Sequence, residues 1–158
     1  SGNRTSMGGG GVNVVHGGTF IMEGDAKISG NSAALGGGGV RINQGSYTKA
    51  IFTMKGNAEI SGNTVTDTDG KGGGVWVRDG GTFTMEGGTI NGSGGANANT
   101  AFDGASLYVD PDYAYTGTAK WGAGTTTREI GGSSSGSQGG NIISSGDAVD
   151  GTIHAVSP

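Results

Sequence analysis

The chain has 158 residues, enough for a single domain, and 38 of them are Gly while only 2 are Pro. A formal net charge of −4, with 14% charged residues, provides no basic surface for a phosphate backbone, so no nucleic-acid partner is expected. Cys is absent, which removes disulfides and thiolate metal sites, and no run of about 18 apolar residues is present to span a membrane as a helix.

Ser1-Gly2-Asn3 opens the chain and recurs as Ser29-Gly30-Asn31 and Ser61-Gly62-Asn63. The first residue therefore stands inside a repeat, as expected of a segment of a longer array or of a processed subunit whose open end accepts another chain. The first full copy, GGGGVNVVHGGTFIMEGDAKISGN, begins at Gly8. The second, GGGGVRINQGSYTKAIFTMKGNAEISGN, begins at Gly36, and the third, GGGVWVRDGGTFTMEGGTINGS, at Gly72. Each copy reads as a Gly run and three short strands separated by Gly turns. A unit of roughly thirty residues of this kind predicts a β-solenoid. Glycines at fixed places in a repeat read as turns and close backbone contacts rather than as disorder.

Alternation within each strand separates inward from outward positions. In the first strand Val12 and Val14, Val40 and Ile42, Val75 and Val77, then Leu107 and Val109 are predicted inward. Asn13, Arg41, Trp76 and Tyr108 lie between them and are predicted outward. The second strand places Phe20, Phe52 and Phe83 in one internal pile, with Met22, Met54 and Met85 beside it. The third adds Ile28, Ile60 and Ile90. Like side chains stacked at about 4.8 Å form internal ladders. Asn3, Asn31 and Asn63 are predicted to form an amide ladder in one corner that stops at Gly92-Ser93. Outside, Glu23, Lys55 and Glu86 form a column of alternating sign, and Lys27 faces Glu59. The outward Thr53, Thr82 and Thr84 are read as alternating with charges, without a regular flat array.

Two segments interrupt the repeat: GSYTKA (45–50) and TVTDTDGK (64–71). Added loops on a solenoid commonly carry its binding function. Asp67 and Asp69, closely spaced in the second, are the calcium candidates and the only cofactor site suggested. Residues 1–93 hold the regular repeats. Residues 94–130 read as a divergent coil, and 131–158 as a Gly/Ser loop with terminal strands through Ile142 and Ile153, suited to a cap.

At GGGVWVRDGGTFTMEGGTINGS, and where ISGN precedes GGGGV, the chain resembles the glycine-rich repeats of bacterial adhesin-like surface proteins. It is more distantly similar to the polymorphic outer-membrane proteins. The resemblance implies a right-handed parallel β-helix exported to the cell surface, and it carries no catalytic residues. The expected fold is thus all-β, a single β-helix domain over 1–158 of about five coils with essentially no α-helix.

Polysaccharide lyases and hydrolases of β-helical fold need clustered acids, whereas the acids here are spread over columns. His16 and His154 have no partner motif, and no P-loop or nucleophile elbow occurs. The expected function is non-enzymatic: an extracellular rigid spacer and contact surface. Its expected partners are neighbouring repeats, other copies of itself, or a host-surface protein or glycan. Two alternatives are a self-assembling filament subunit and a polysaccharide-binding or polysaccharide-cleaving β-helix. Arg41, Trp76, Arg78 and Tyr108, read as adjacent and outward, are the candidate contact residues, because exposed aromatics stack on sugars or anchor interfaces.

Overall fold

A computed structural model describes residues 1–110, apart from positions 44, 46, 47 and 79, and beyond them the backbone of 118–121, 128–130, 148–150 and 153–155, with side chains only at Asp150 and Ile153. Among the described residues there is no helix. The parts of GSYTKA at 46–47, the Gly/Ser loop at 131–140 and the strand expected at Ile142 lie outside the described residues.

The chain is a parallel β-solenoid. Its first coil comprises β1 (Arg4–Thr5), β2 (Val12–Val15), β3 (Thr19–Met22) and β4 (Lys27–Ser29). The second is β5 (Ser32–Ala33), β6 (Val40–Asn43), β7 (Ile51–Met54) and β8 (Glu59–Ser61). The third is β9 (Thr64–Val65), β10 (Val75–Arg78), β11 (Thr82–Met85) and β12 (Gly88–Ile90). Four sheets result, not the three read from the repeat, because the two-residue strands β1, β5 and β9 pair in parallel at the corner after Asn. Two residues are too short for an alternation signal, so the repeat by itself does not reveal this strand. Thr64 and Val65 accordingly belong to the repeat, and the insertion lies beyond them.

The solenoid makes about three turns rather than five. β13 (Leu107–Val109) and β14 (Thr118–Trp121) each add one parallel strand, to β10 and β11. The remaining strands turn back. β15 (Arg128–Ile130), β16 (Ala148–Val149) and β17 (Ile153–Ala155) run antiparallel to β14, β13 and β12. Antiparallel pairing needs only a reversal of the chain, whereas another parallel strand needs another whole coil. Asp150 fastens this segment: its Oδ1 accepts from the Ala105 amide at 3.0 Å, and its carbonyl from the Ser93 amide at 2.7 Å.

The core follows from register. Phe20, Phe52 and Phe83 are direct cross-strand neighbours, with ring centroids 5.3 and 5.1 Å apart and planes within 29°. Phe52 and Phe83 are fully buried and Phe20, in the first coil, half-buried. Met22, Met54 and Met85 are buried beside them, and Ile153 extends the Ile28–Ile60–Ile90 ladder by one rung. Glycine makes the corners possible. A Cβ on Gly39 would come 2.7 Å from the Gly74 carbonyl and 3.0 Å from Asn63 Nδ2, so the backbone itself fills the place of a side chain.

Candidate functional site

Three features of the structure are built well enough to bear a function: the amide ladder, the cation–aromatic column, and the charged columns.

The amide ladder is longer than the sequence indicates. Asn31 Oδ1 accepts from the backbone amide and Nδ2 of Asn3, both at 3.1 Å. Asn63 Oδ1 does the same for Asn31, both at 3.0 Å. The ladder does not stop at Gly92-Ser93: Asn99 Oδ1 accepts from the amide and Nδ2 of Asn63 at 2.9 and 3.0 Å. Asn99 Nδ2 in turn donates to the carbonyls of Ile60 and Asn91. The loop after β12 carries the chain outward and returns it one rung up, and Thr100 then bridges Thr64. Thr100 follows Asn99 as Thr64 follows Asn63, and that Asn-Thr pair was the available signal. Asn31, Asn63 and Asn99 are buried; Asn3, expected inside, is the exposed end rung.

The proposed contact residues do come together. Arg41, Trp76 and Tyr108 are successive cross-strand neighbours on β6, β10 and β13. They are not an open platform. Trp76 is 7% exposed and Tyr108 8%. The cover comes from cations of neighbouring positions. The guanidinium carbons of Arg41 and Arg78 lie 5.4 and 4.7 Å from the Trp76 ring centroid. Lys71 Nζ lies 5.2 Å from the Tyr108 ring and 5.7 Å from that of Phe102, which is itself 68% exposed. A cation attracted to a ring's negative face occupies the surface on which a sugar would stack. Gly36 lets the indole down: a Cβ there would meet Trp76 Cε3 at 2.5 Å.

Two of the three cations, Arg78 and Lys71, are also paired with a carboxylate one coil onward. Arg78 Nε donates to Asp110 Oδ2 at 3.1 Å, and Lys71 Nζ is paired with Asp103. The hydrogen bond to Asp103 holds the Lys71 ammonium above its ordinary value, against the opposing effect of partial burial, and Asp69 adds to the stabilisation. Asp69, one of the two calcium candidates, is thus an exposed carboxylate that acts on a lysine. Asp67 is a half-buried turn residue whose carbonyl accepts from the Gly70 amide at 3.1 Å. Among the described residues no three His, Asp or Glu side chains converge as metal ligands.

The charged columns pair as their spacing predicts. Lys27 Nζ meets Glu59 Oε2 at 2.7 Å, and Lys55 meets Glu86 at 3.3 Å. Hydrogen bonds from Lys27 and then from Ser61 hold the Glu59 carboxyl below the usual range. The Glu59 carboxylate raises Lys27 reciprocally. His16 sits exposed in a turn with φ +52°, as a turn residue should, and the side chain of His154 lies outside the described residues. No helix among the described residues is long and apolar enough to cross a membrane. Comparison with known protein families, with curated proteins and with solved structures finds no match to this chain.

Proposed function

We propose that the chain is a non-enzymatic structural module of an extracellular surface protein, a rigid spacer that carries lateral contact surfaces. The observation that supports this best is the agreement in register of the Phe, Met, Ile and Asn ladders across three coils. Side chains stacked on like side chains leave few soft positions along the axis, and in the cation–aromatic column Arg78 and Lys71 are each held by a carboxylate rather than poised for chemistry. Single-molecule pulling along the axis tests the spacer role. Coil-by-coil lengthening at sustained high force is expected, and collapse in one step at low force overturns it. Antibody labelling of intact source cells tests display, and labelling only after lysis counts against it.

A second reading, association through the first coil, has its own support. β1, β2, β3 and β4 are the edge strands of their sheets, with Val12 and Phe20 half-buried and Met7 exposed. Such an edge accepts a further coil, from a neighbouring repeat or another copy. The opposite end is lined by antiparallel strands, so repeated head-to-tail stacking would need a parallel coil to dock on them. Concentration-dependent growth into long filaments would favour that assembly, and a size limit at two copies would exclude it.

A further inference from the structure

We propose that the outer face of the sheet formed by β3, β7 and β11 binds ice. Register places Thr19, Ile51 and Thr82 in one column and Ile21, Thr53 and Thr84 in the next. All six are exposed or half-buried, and their neighbours in sequence, Phe20, Met22, Phe52, Met54, Phe83 and Met85, form the stacked core beneath. On the fourth strand the register continues from Thr82 to Thr118, but Thr84 pairs with Lys120, so the uncharged array is three coils long. The sequence suggested that charges interrupt this array. Within the three coils they do not: Glu23, Lys55 and Glu86 form a separate column at its border, just past the strand ends, and Lys120 stands one strand beyond.

β-Propensity alone favours Thr and Ile in any strand. It does not explain why only this sheet carries them in both outward columns of all three coils. The equivalent face of β2, β6 and β10 carries Asn13, Arg41 and Trp76, and that of β4, β8 and β12 carries Lys27, Glu59 and Thr89.

The occupant follows from spacing, charge and area. Coils repeat at about 4.8 Å and alternate strand residues at about 6.7 Å, so methyl and hydroxyl groups stand in a regular two-dimensional array. Those two repeats are close to the oxygen spacings on the prism face of ice. The methyls of Thr and Ile hold first-layer water without competing hydrogen bonds, and the Thr hydroxyls anchor it. Within its three coils the array bears no charge, which suits a neutral lattice and not a polyelectrolyte. It bears no aromatic ring, whereas a crystalline glycan would be met by ring stacking. Its area, on the order of 200 Å², is well short of the roughly 800 Å² per partner of a stable protein interface. An ice surface has no such minimum, because each adsorbed molecule needs only to pin the advancing front.

The test is inhibition of ice recrystallisation by the whole chain, followed as grain growth in a frozen film. Wild type is expected to arrest growth, and the double variant Thr53→Lys, Thr84→Lys to lose the effect. Asn13→Lys, on a different face, is expected to keep it. Thermal melts establish that the variants are folded. Adsorption of fluorescent wild-type chain to a single ice crystal decides the question without any variant. Grain growth equal to that with an inert protein, or equal loss in Asn13→Lys, overturns the proposal. Retention on microcrystalline cellulose or chitin that the double variant abolishes, without adsorption to ice, also overturns it and reassigns the face to a glycan.

Discussion

Asn63 shows what a single residue does in this fold. Its Oδ1 satisfies the backbone amide and the carboxamide of Asn31, and its Nδ2 donates to the Ile28 carbonyl at 3.0 Å. Asn63→Ala leaves those groups buried without partners, and a loss of about 3 kcal/mol is expected in urea unfolding. Asn99→Ala should cost as much, whereas Asn3→Ala, at the exposed rung, should cost under about 1 kcal/mol. Equal effects at all three positions would show that the ladder carries no weight. The charged pairs set the pH dependence. The folded Glu59 value is lowered from 4.5, so its stabilisation is complete above the unfolded value and disappears as pH falls through the folded one. The folded Lys71 value is raised from 10.5, so its contribution is complete below 10.5 and disappears as pH rises through the folded value. The melting temperature is therefore expected to fall below about pH 4 and again above about pH 10.5. Glu59→Gln should flatten the acid limb and Lys71→Met the alkaline one. Both effects are small, because the pairs are partly solvated.

The strand is the next unit, and its contribution depends on its place in the stack. Phe52 has an aromatic neighbour on both sides and no exposure, whereas Phe20 is half-buried in the first coil. Phe52→Ala is expected to cost about 3–5 kcal/mol and Phe20→Ala about half of that, measured by denaturant titration. The Gly runs work at the same scale. Gly39→Ala would press a methyl onto the Gly74 carbonyl and the Asn63 amide, and so should destabilise by about as much as losing the amide rung itself, about 3 kcal/mol. If Gly39→Ala left the melting temperature unchanged, the close approach between coils would be wrong.

In the whole molecule, stability passes from coil to coil, so the ends decide behaviour. Antiparallel β15, β16 and β17 occupy one edge of three sheets, with Ile153 inserted into the core. A chain ending at residue 110 should expose β12 and β13 and associate, read as a rise in mass by light scattering, while the full chain stays smaller at equal concentration. Most of the core was legible in the sequence, since a period-2 pattern repeated three times assigns Phe20, Phe52 and Phe83 to one pile without any knowledge of the rest. The Lys27–Glu59 and Lys55–Glu86 pairs followed from the same arithmetic. What the sequence alone could not decide depends on where the chain goes between repeats. Asn99 rejoins the amide ladder only because the loop after β12 returns to the corner, and the last strands turn back rather than coil on. Trp76 and Tyr108 are outward in register yet covered, because Arg41, Arg78 and Lys71 fold across them. Alternation along a strand settles which way a side chain starts; what then lies over it is set by side chains from other coils, and no single strand encodes that.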